Sequence, residues 1–366
     1  MKYKTISSTF GNNLRFTLFG GSHEPEIGIH IDGLKPGLSF DLDRVERFMR
    51  RRAPGTGPFV TPRKEQDELI FSQGLRNGKT TGERLTIVIK NTNVRSGDYS
   101  QLRQVPRPGH ADFTARLKYG NQVNMAGGGP FSARMTAPLC AAGALALQLL
   151  EKRGIFIGSH VYSIGSVSDK AFDPVNVSAD TLRTLQETEA GYPGVLDREA
   201  GEKMIEEIRL AMEDQDSLGG VVEACALGLP GGIGGPMYDG IEGHLARVFF
   251  GIPAVKGVEF GRGFESARIR GSENNDPFLI KDGQVVTATN NHGGLLGGIT
   301  TGMPLICRIA FKPTPSIGRE QDSVNLTTMT PEKLRIEGRH DPCVVLRALP
   351  IVEAALAVTI MDLLEV

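Results

Sequence analysis

The sequence carries almost no net charge: 41 Lys and Arg stand against 42 Asp and Glu, leaving −1 over 366 residues. Non-specific nucleic-acid binding needs a broad basic surface, so this balance argues against a nucleic-acid partner. Cysteine is scarce. Cys140, Cys225, Cys307 and Cys343 lie far apart with no C-x-x-C pair, which speaks against a metal site and for a reducing, cytoplasmic compartment. Cys140 and Cys307 fall in apolar runs, where a small buried thiol is expected. The N-terminal MKYKTISSTFGNNLRF lacks the apolar core of a secretory leader. The apolar stretch 343–366 contains Arg347, Glu353 and Asp362, whose charges would be costly in lipid, so it reads as a buried helix and no membrane partner is expected. Neither G-x-G-x-x-G, G-x-x-x-x-G-K-[ST] nor G-x-S-x-G occurs, and no cluster has zinc or calcium spacing.

Glycine, by contrast, is abundant. There are 46, well above the typical ~7% of a soluble chain, with no collagen period, so many turns and close backbone approaches are expected. Short Val- and Ile-rich runs bounded by Gly or Pro predict strands at 27–32, 84–91, 156–167, 220–229 and 305–311. Helices are predicted at 41–52, 133–153, 179–189, 199–214, 239–250 and 344–364. The elements follow no regular βαβ cadence, which favours an α+β fold. No linker interrupts the chain, and the acidic stretch 168–197 reads as a connection between two related halves of one domain, about 1–165 and 215–366. Thr80-Thr81-Gly82 precedes the strand LTIVIKN, and Thr300-Thr301-Gly302, 220 residues later, precedes LICRIAFK. A His near an Asp follows each strand (His110 and Asp112, His340 and Asp341), and then an apolar helix.

Proton-transfer candidates sit in two turns: His23 in Gly20-Gly21-Ser22-His23-Glu24-Pro25, and His110 in Arg107-Pro108-Gly109-His110-Ala111-Asp112. A histidine on a stiff loop suits proton transfer near neutral pH. His30, His160 and His244 fall inside predicted elements and read as structural. Arg47, Arg50, Arg51, Arg52, Arg63, Arg95, Arg107, Arg134 and Arg339 lie beside these turns, as a substrate with several carboxylates or phosphates would require. Arg107, Arg134 and Arg339 stand out by their place at loop–helix junctions. Gly127-Gly128-Gly129-Pro130-Phe131-Ser132-Ala133-Arg134 opens a predicted helix and could offer backbone N–H groups to an anion. Lys312-Pro313-Thr314-Pro315-Ser316 places a cation and two hydroxyls at a strand end, a second phosphate-type contact.

In order along the chain, these segments resemble the chorismate synthase family from Phe19 onward. The family's GESHG turn and following strand read here GGSHEPEIGIHIDGLKPG, keeping Ser22, His23, Asp32 and Gly33. RRRAPGTG (50–57), TPRKEQD (61–67), NTNVRSGDY (91–99), RPGHAD (107–112), KYG (118–120), AVKGVE (254–259), GGLLGG (293–298), KPT (312–314) and GRHDPCVVLRALPIVEA (338–354) continue the match. The resemblance implies a β-α-β sandwich with pseudo-twofold halves, usually assembled as a homotetramer. It implies conversion of 5-enolpyruvylshikimate 3-phosphate to chorismate by elimination of phosphate, dependent on reduced FMN, which must be supplied because no reductase segment is present. It further implies that His23 protonates the leaving phosphate, that His110 sits by the flavin, and that Asp341 assists proton removal. Arg52, Arg134 and Arg339 would bind substrate, and Ser132, Ala254, Gly297, Lys312, Pro313, Thr314, Ser316 and Arg339 the flavin.

The match has departures. Gly21 and Glu24 replace the Glu and Gly of GESHG; Pro130, Phe131 and Met135 alter GGGRSSARET; Pro58, Pro253 and Pro315 stand where polar residues are usual. Proline removes a backbone donor along with the side chain, and each charge-assisted hydrogen bond lost costs about 1.5–3 kcal/mol. These changes support a second reading, a homologue that keeps the fold as a binding or assembly protein without the elimination chemistry. The intact His23, His110 and Asp341 support the first.

Overall fold

In chain order the elements are β1 (Thr9–Phe10), β2 (Arg15–Gly20), β3 (Glu26–Asp32), α1 (Leu42–Arg52), β4 (Ile70–Gln73), β5 (Leu75–Arg76), β6 (Lys79–Thr80), β7 (Leu85–Lys90), α2 (Asp112–Tyr119) and α3 (Thr136–Glu151). Then come β8 (Phe156–Ile164), β9 (Val167–Ser168), α4 (Ala179–Gln186), α5 (Arg198–Glu213), β10 (Gly220–Leu227), α6 (Ile241–Phe249), β11 (Val255–Phe260), α7 (Gly271–Asn274), β12 (Phe278–Lys281) and β13 (Gln284–Thr287). The last are β14 (Leu295–Leu296), β15 (Ile299–Thr300), β16 (Leu305–Phe311), β17 (Gln321–Asn325), β18 (Thr330–Leu334) and α8 (Leu349–Leu363). The structure, a computed structural model, describes residues 8–53, 59, 67–92, 102, 104–120, 122–188, 191–336 and 341–364.

Two five-stranded antiparallel sheets are ordered β1-β2-β3-β7-β4 and β9-β8-β10-β16-β11, and β2-β3-β7-β4 of the first repeats as β8-β10-β16-β11 of the second. Between them lies a helical layer: α3 packs on β3 and β7, α8 on β8 and β10, and α1 and α6 flank the pair. This is the β-α-β sandwich expected. Ile27, Ile29 and Ile31 alternate along β3 and are buried on the helical side, the period-2 pattern of a strand with one face in the core. α3 and α8 are apolar all round, and both are buried, as such helices must be. They approach so closely that a Cβ built on Gly143 would lie 2.2 Å from Ala354 Cβ. The helical stretch Ala133–Glu151 is long and apolar enough to cross a membrane, yet 89% of it is buried inside the molecule.

The pseudo-twofold extends to single hydrogen bonds. Thr80 Oγ1 donates to Lys35 O (2.7 Å) and accepts from Leu38 N (2.9 Å). Thr300 Oγ1 donates to Pro230 O (2.7 Å) and accepts from Ile233 N (2.9 Å). Each threonine ends a two-stranded hairpin, β5–β6 or β14–β15, just before the strand that completes its sheet. β8 pairs with β10 of the second sheet, so the structural repeat changes over near Gly154, ahead of residue 165.

The C-terminal helix also ties down the start of the chain. Asp362 Oδ1 and Oδ2 accept from the backbone N–H groups of Asn12, Asn13 and Leu14 at 2.7–2.9 Å. Glu353, fully buried in α8, accepts from Arg51 of α1 at 2.5 and 2.9 Å and from Ser159 Oγ of β8 at 2.8 Å. Arg51 therefore serves the helical layer rather than an anion site.

Candidate active site

The site is built on connections that leave the two sheets. β2 ends at Gly20, whose φ of +89° lets the chain turn at once, and the turn that follows carries Ser22 and His23. Asn91, just past β7, pins this turn by donating from Nδ2 to Gly21 O (3.1 Å) and Glu24 O (2.7 Å). Ser22 is buried; its backbone N–H donates to Gly129 O (3.2 Å), and its hydroxyl lies 3.0 Å from Ala126 O and 3.2 Å from His23 Nδ1.

The glycine loop does not open α3 directly. Residues 126–131 form a 3-10 stretch in which Gly127, Gly128 and Gly129 have φ of +60°, +89° and +52°. A second short 3-10 turn, Ala133–Met135, follows before α3 begins at Thr136. Its Ser132 cap accepts from Arg134 N at 3.3 Å. The carbonyls of the arch serve the His23 turn, so the loop is first a scaffold for that histidine. A Cβ on Gly127 would lie 2.1 Å from His23 Cε1 and 2.3 Å from Nδ1; one on Gly128 would lie 3.3 Å from His110 Nε2. The two histidines thus flank one glycine arch, which has no room for a side chain at Gly127.

His110 stands at the N-terminal end of α2. Its Nδ1 is 2.7 Å from Asp112 Oδ1 and 3.0 Å from Arg107 Nη2. Arg107 donates to Asp112 from its backbone N–H (3.1 Å), Nε (2.7 Å) and Nη2 (2.8 Å), and from Nη1 to Ser316 Oγ (3.1 Å). Burial alone would raise the Asp112 pKa, but the hydrogen bonds and charges of Arg107 and His110 outweigh it and hold the carboxyl well below the usual range.

The second lobe meets this loop through residues 312–316. Lys312 Nζ donates to Gly109 O, and Pro315 packs toward Gly109. Ser323 Oγ of the β17–β18 hairpin donates to Pro106 O (2.6 Å). Burial and the neighbouring Lys256 lower the Lys312 pKa. Thr314 Oγ1 is buried with no hydrogen-bond partner among the described residues. Ala254, after Pro253, holds φ +74° and accepts from Lys312 N at 3.0 Å. Left-handed backbone at a residue with a Cβ is strained and gathers at functional sites. Gly297 caps the β14–β15 turn, with open space where a Cβ would project.

Arg52 and Arg134 converge on one carboxylate, Asp67, each forming an ion pair with it. All three are buried. Burial pushes the Asp67 pKa up, and the two guanidinium charges more than reverse that. Arg134 Nε donates to Asn91 Oδ1 (3.1 Å), joining this cluster to the His23 turn. On its other side Arg347 donates from Nε to Arg52 O (2.9 Å) and from Nη1 to Asp341 Oδ2 (2.7 Å). Contacts therefore run unbroken from Asp341 through Arg347, Arg52, Asp67, Arg134 and Asn91 to the turn bearing His23.

Arg63, Arg95, Arg339, His340 and Pro58 lie outside the described residues. Phe131 is partly exposed beside Pro130 at the end of the arch. Asp67, Asn91 and Arg347 stand in motifs of the resemblance but carry no assigned role in the sequence, because their partners lie in distant segments; Asp112, two residues from His110 in RPGHAD, is visible there as a neighbour.

The comparisons with known proteins agree with this geometry. The family model described as chorismate synthase matches residues 14–364. A chorismate synthase of Pyrococcus abyssi is 47% identical over 352 residues, covering 96% of each chain. One of Lancefieldella parvula is 45% identical over 367 residues, covering 98% of this chain and 96% of its own. A solved structure described as the crystal structure of chorismate synthase superimposes with a TM-score of 0.76 at 29% identity, over 97% of this chain and 92% of that one. On sequence, fold and arrangement together, the chain belongs to the chorismate synthase family.

Proposed function

We propose that the chain eliminates phosphate from 5-enolpyruvylshikimate 3-phosphate to give chorismate, with reduced FMN as cofactor and no net redox change. The observation that carries this reading is the pairing of His23 and His110 across the glycine arch, linked by contacts to the buried arginines Arg52 and Arg134. The substrate carries one phosphate and two carboxylates, and buried guanidinium groups are the donors suited to them. Asp67 holds those guanidinium groups in the absence of substrate and yields them to its anionic groups.

The residues present fit a flavin phosphate and ring system. Lys312 is partly withdrawn from water, Thr314 Oγ1 is buried with no hydrogen-bond partner among the described residues, and Ser316 lies within reach of Arg107. Lys312, Pro313, Thr314 and Ser316 would hold it with Ser132, Ala254, Gly297 and Arg339, near His110. When bound, reduced flavin supplies electron density that eases departure of the phosphate. His23, steadied by Ser22, delivers a proton to the leaving phosphate oxygen. Arg52 and Arg134 orient the substrate, and Asp341, held by Arg347, assists removal of the proton that completes the new double bond. The relatives described above are all named chorismate synthase, which favours this reading over a homologue without the chemistry.

A homotetramer in the cytoplasm belongs to the same proposal. Exposed Phe264, Phe278, Ile280 and Val285 support a subunit contact, and four buried free cysteines support a reducing compartment. The test is anaerobic phosphate release from 5-enolpyruvylshikimate 3-phosphate with chemically reduced FMN. Turnover is expected, falling on the order of 10²-fold or more in His110→Ala. No release from folded protein overturns the proposal.

A further inference from the structure

Around His110 three polar atoms form a nearly equilateral triangle: its own Nδ1, Asp112 Oδ1 and Arg107 Nη2, with sides of 2.7, 2.8 and 3.0 Å. Only the carboxylate oxygen can accept. Arg107 is always a donor, and Asp112 is ionised under three donated bonds from Arg107. A bare Nδ1 would set its lone pair 2.7 Å from an anionic oxygen, which is repulsive. With a proton on Nδ1, both N–H groups converge on Oδ1 and the 3.0 Å edge is the separation of two donors sharing one acceptor.

We propose that Asp112 is a positioning residue: whenever the His110 ring carries a single proton, Asp112 holds that proton on Nδ1 and leaves Nε2, on the glycine-arch side, as the nitrogen that can exchange one. Nε2 lies beside Gly128 of the arch, on the side of the ring away from Asp112. Arg107 makes the device stiff. It grips Asp112 with three bonds and reaches Ser316 in the other lobe with a fourth, so the orientation of His110 is referred to the 312–316 loop as well as to its own. The proposal rests on His110 being a site histidine, as argued under Proposed function.

The test reads the tautomer directly. The full chain is labelled with ring-15N histidine and measured by magic-angle-spinning 15N NMR at a pH that leaves His110 neutral, with His110→Gln to assign the signal. A protonated Nδ1 and a bare Nε2 are expected. Asp112→Asn should move the population toward the Nε2-protonated form. It should also lower kcat on the order of 10²-fold or more, as wrong-tautomer variants do, with KM changed less than about twofold. An Nε2-protonated ring in the unaltered protein overturns the proposal, as does an unchanged tautomer in Asp112→Asn or a loss expressed wholly in KM. If Asp112→Asn does not fold, the spectrum of the unaltered protein still decides. That spectrum needs no substrate, so it stands even where phosphate release fails and the reading of the reaction falls with it.

Discussion

The two sheets turn opposite kinds of surface away from the helical layer at matched positions. Across the first runs the row Phe19, Gly28, Val88, Ile70; across the second runs His160, Glu223, Arg308, Glu259, each residue opposite the next in the strand register. The apolar row packs a Phe ring over a glycine: a Cβ on Gly28 would lie 2.3 Å from Phe19 Cζ. In the charged row His160 and Glu223 are buried and Arg308 and Glu259 half-buried, with His160 Nε2 2.9 Å from Glu223 Oε2, its Nδ1 3.0 Å from Asp169 Oδ2, and Arg308 Nε 2.9 Å from Glu223 Oε1. Residues 169–188, with α4, and 191–197 cover the second sheet, and the charged row fastens them there. Phe172 N donates to Glu223, and Leu196 N and Asp197 N donate to Asp169. One scaffold thus carries an apolar outer row in the first lobe and a charged one, roofed by α4 and its flanking residues, in the second. Burying charge is tolerable because every member is paired, and its direction specifies where the roof must sit.

That contrast can be broken most sharply at Glu223. Glu223→Ala removes one of the two carboxylates that hold buried His160 and the nearer of the two beside Arg308, and should cost about 3–5 kcal/mol in equilibrium urea unfolding. At the matched region of the first lobe, Val88→Ala removes two methyl groups and should cost only about 1–2 kcal/mol; equal losses would erase the distinction. Next in size are the two hairpin threonines, where the lobes should behave alike. Thr80→Val and Thr300→Val each leave a buried carbonyl and N–H without their partner, and each should lose about 1–3 kcal/mol, agreeing within about 0.5 kcal/mol. A wider gap would show that the pseudo-twofold is geometric and not energetic.

The smallest effect is one of pH. Burial lowers the His160 pKa, but the hydrogen bonds to Asp169 and Glu223 and their charges outweigh it and raise the value above its ordinary 6.5. A group whose pKa is raised by folding contributes stability that is complete below its unfolded value and is lost as pH rises through the folded one. The thermal midpoint should therefore decline as pH climbs above 6.5 through that range, and His160→Gln should flatten this part of the profile. No response in the variant would place the pH dependence elsewhere.

Much of this was legible from residue order. The repeated TTG ahead of two strands announces the duplication, and periodicity places β3, β7, β8, β10 and β16 and all but the short helices. The strand β2 and the hairpins β12–β13 and β17–β18 escape, because four to six residues of mixed polarity carry no period. α3 starts three residues later than its composition suggests, because Ala133–Met135 form a separate 3-10 turn capped by Ser132. The site was legible as residue types: two histidines in stiff turns, arginines at junctions, a Lys–Thr–Ser loop. Their partners were not. Arg52 and Arg134 meet Asp67 from 15 and 67 residues away, and the His160–Glu223–Arg308 row joins strands 63 and 85 residues apart. Such pairings are set by sheet register and helix packing, which no local window contains.

The carboxylate of Asp362 gives the molecule a timetable. The loop between β1 and β2 takes its hydrogen bonds from a residue 350 positions downstream, and half of the central layer arrives with the same helix. At roughly 5–20 residues per second of synthesis, the Asn12–Leu14 loop waits on the order of 20–70 s for the carboxylate that accepts its N–H groups. Until α8 emerges, the nascent chain is a client for holding factors, and an early stop before residue 349 would release a protein with neither lobe sealed.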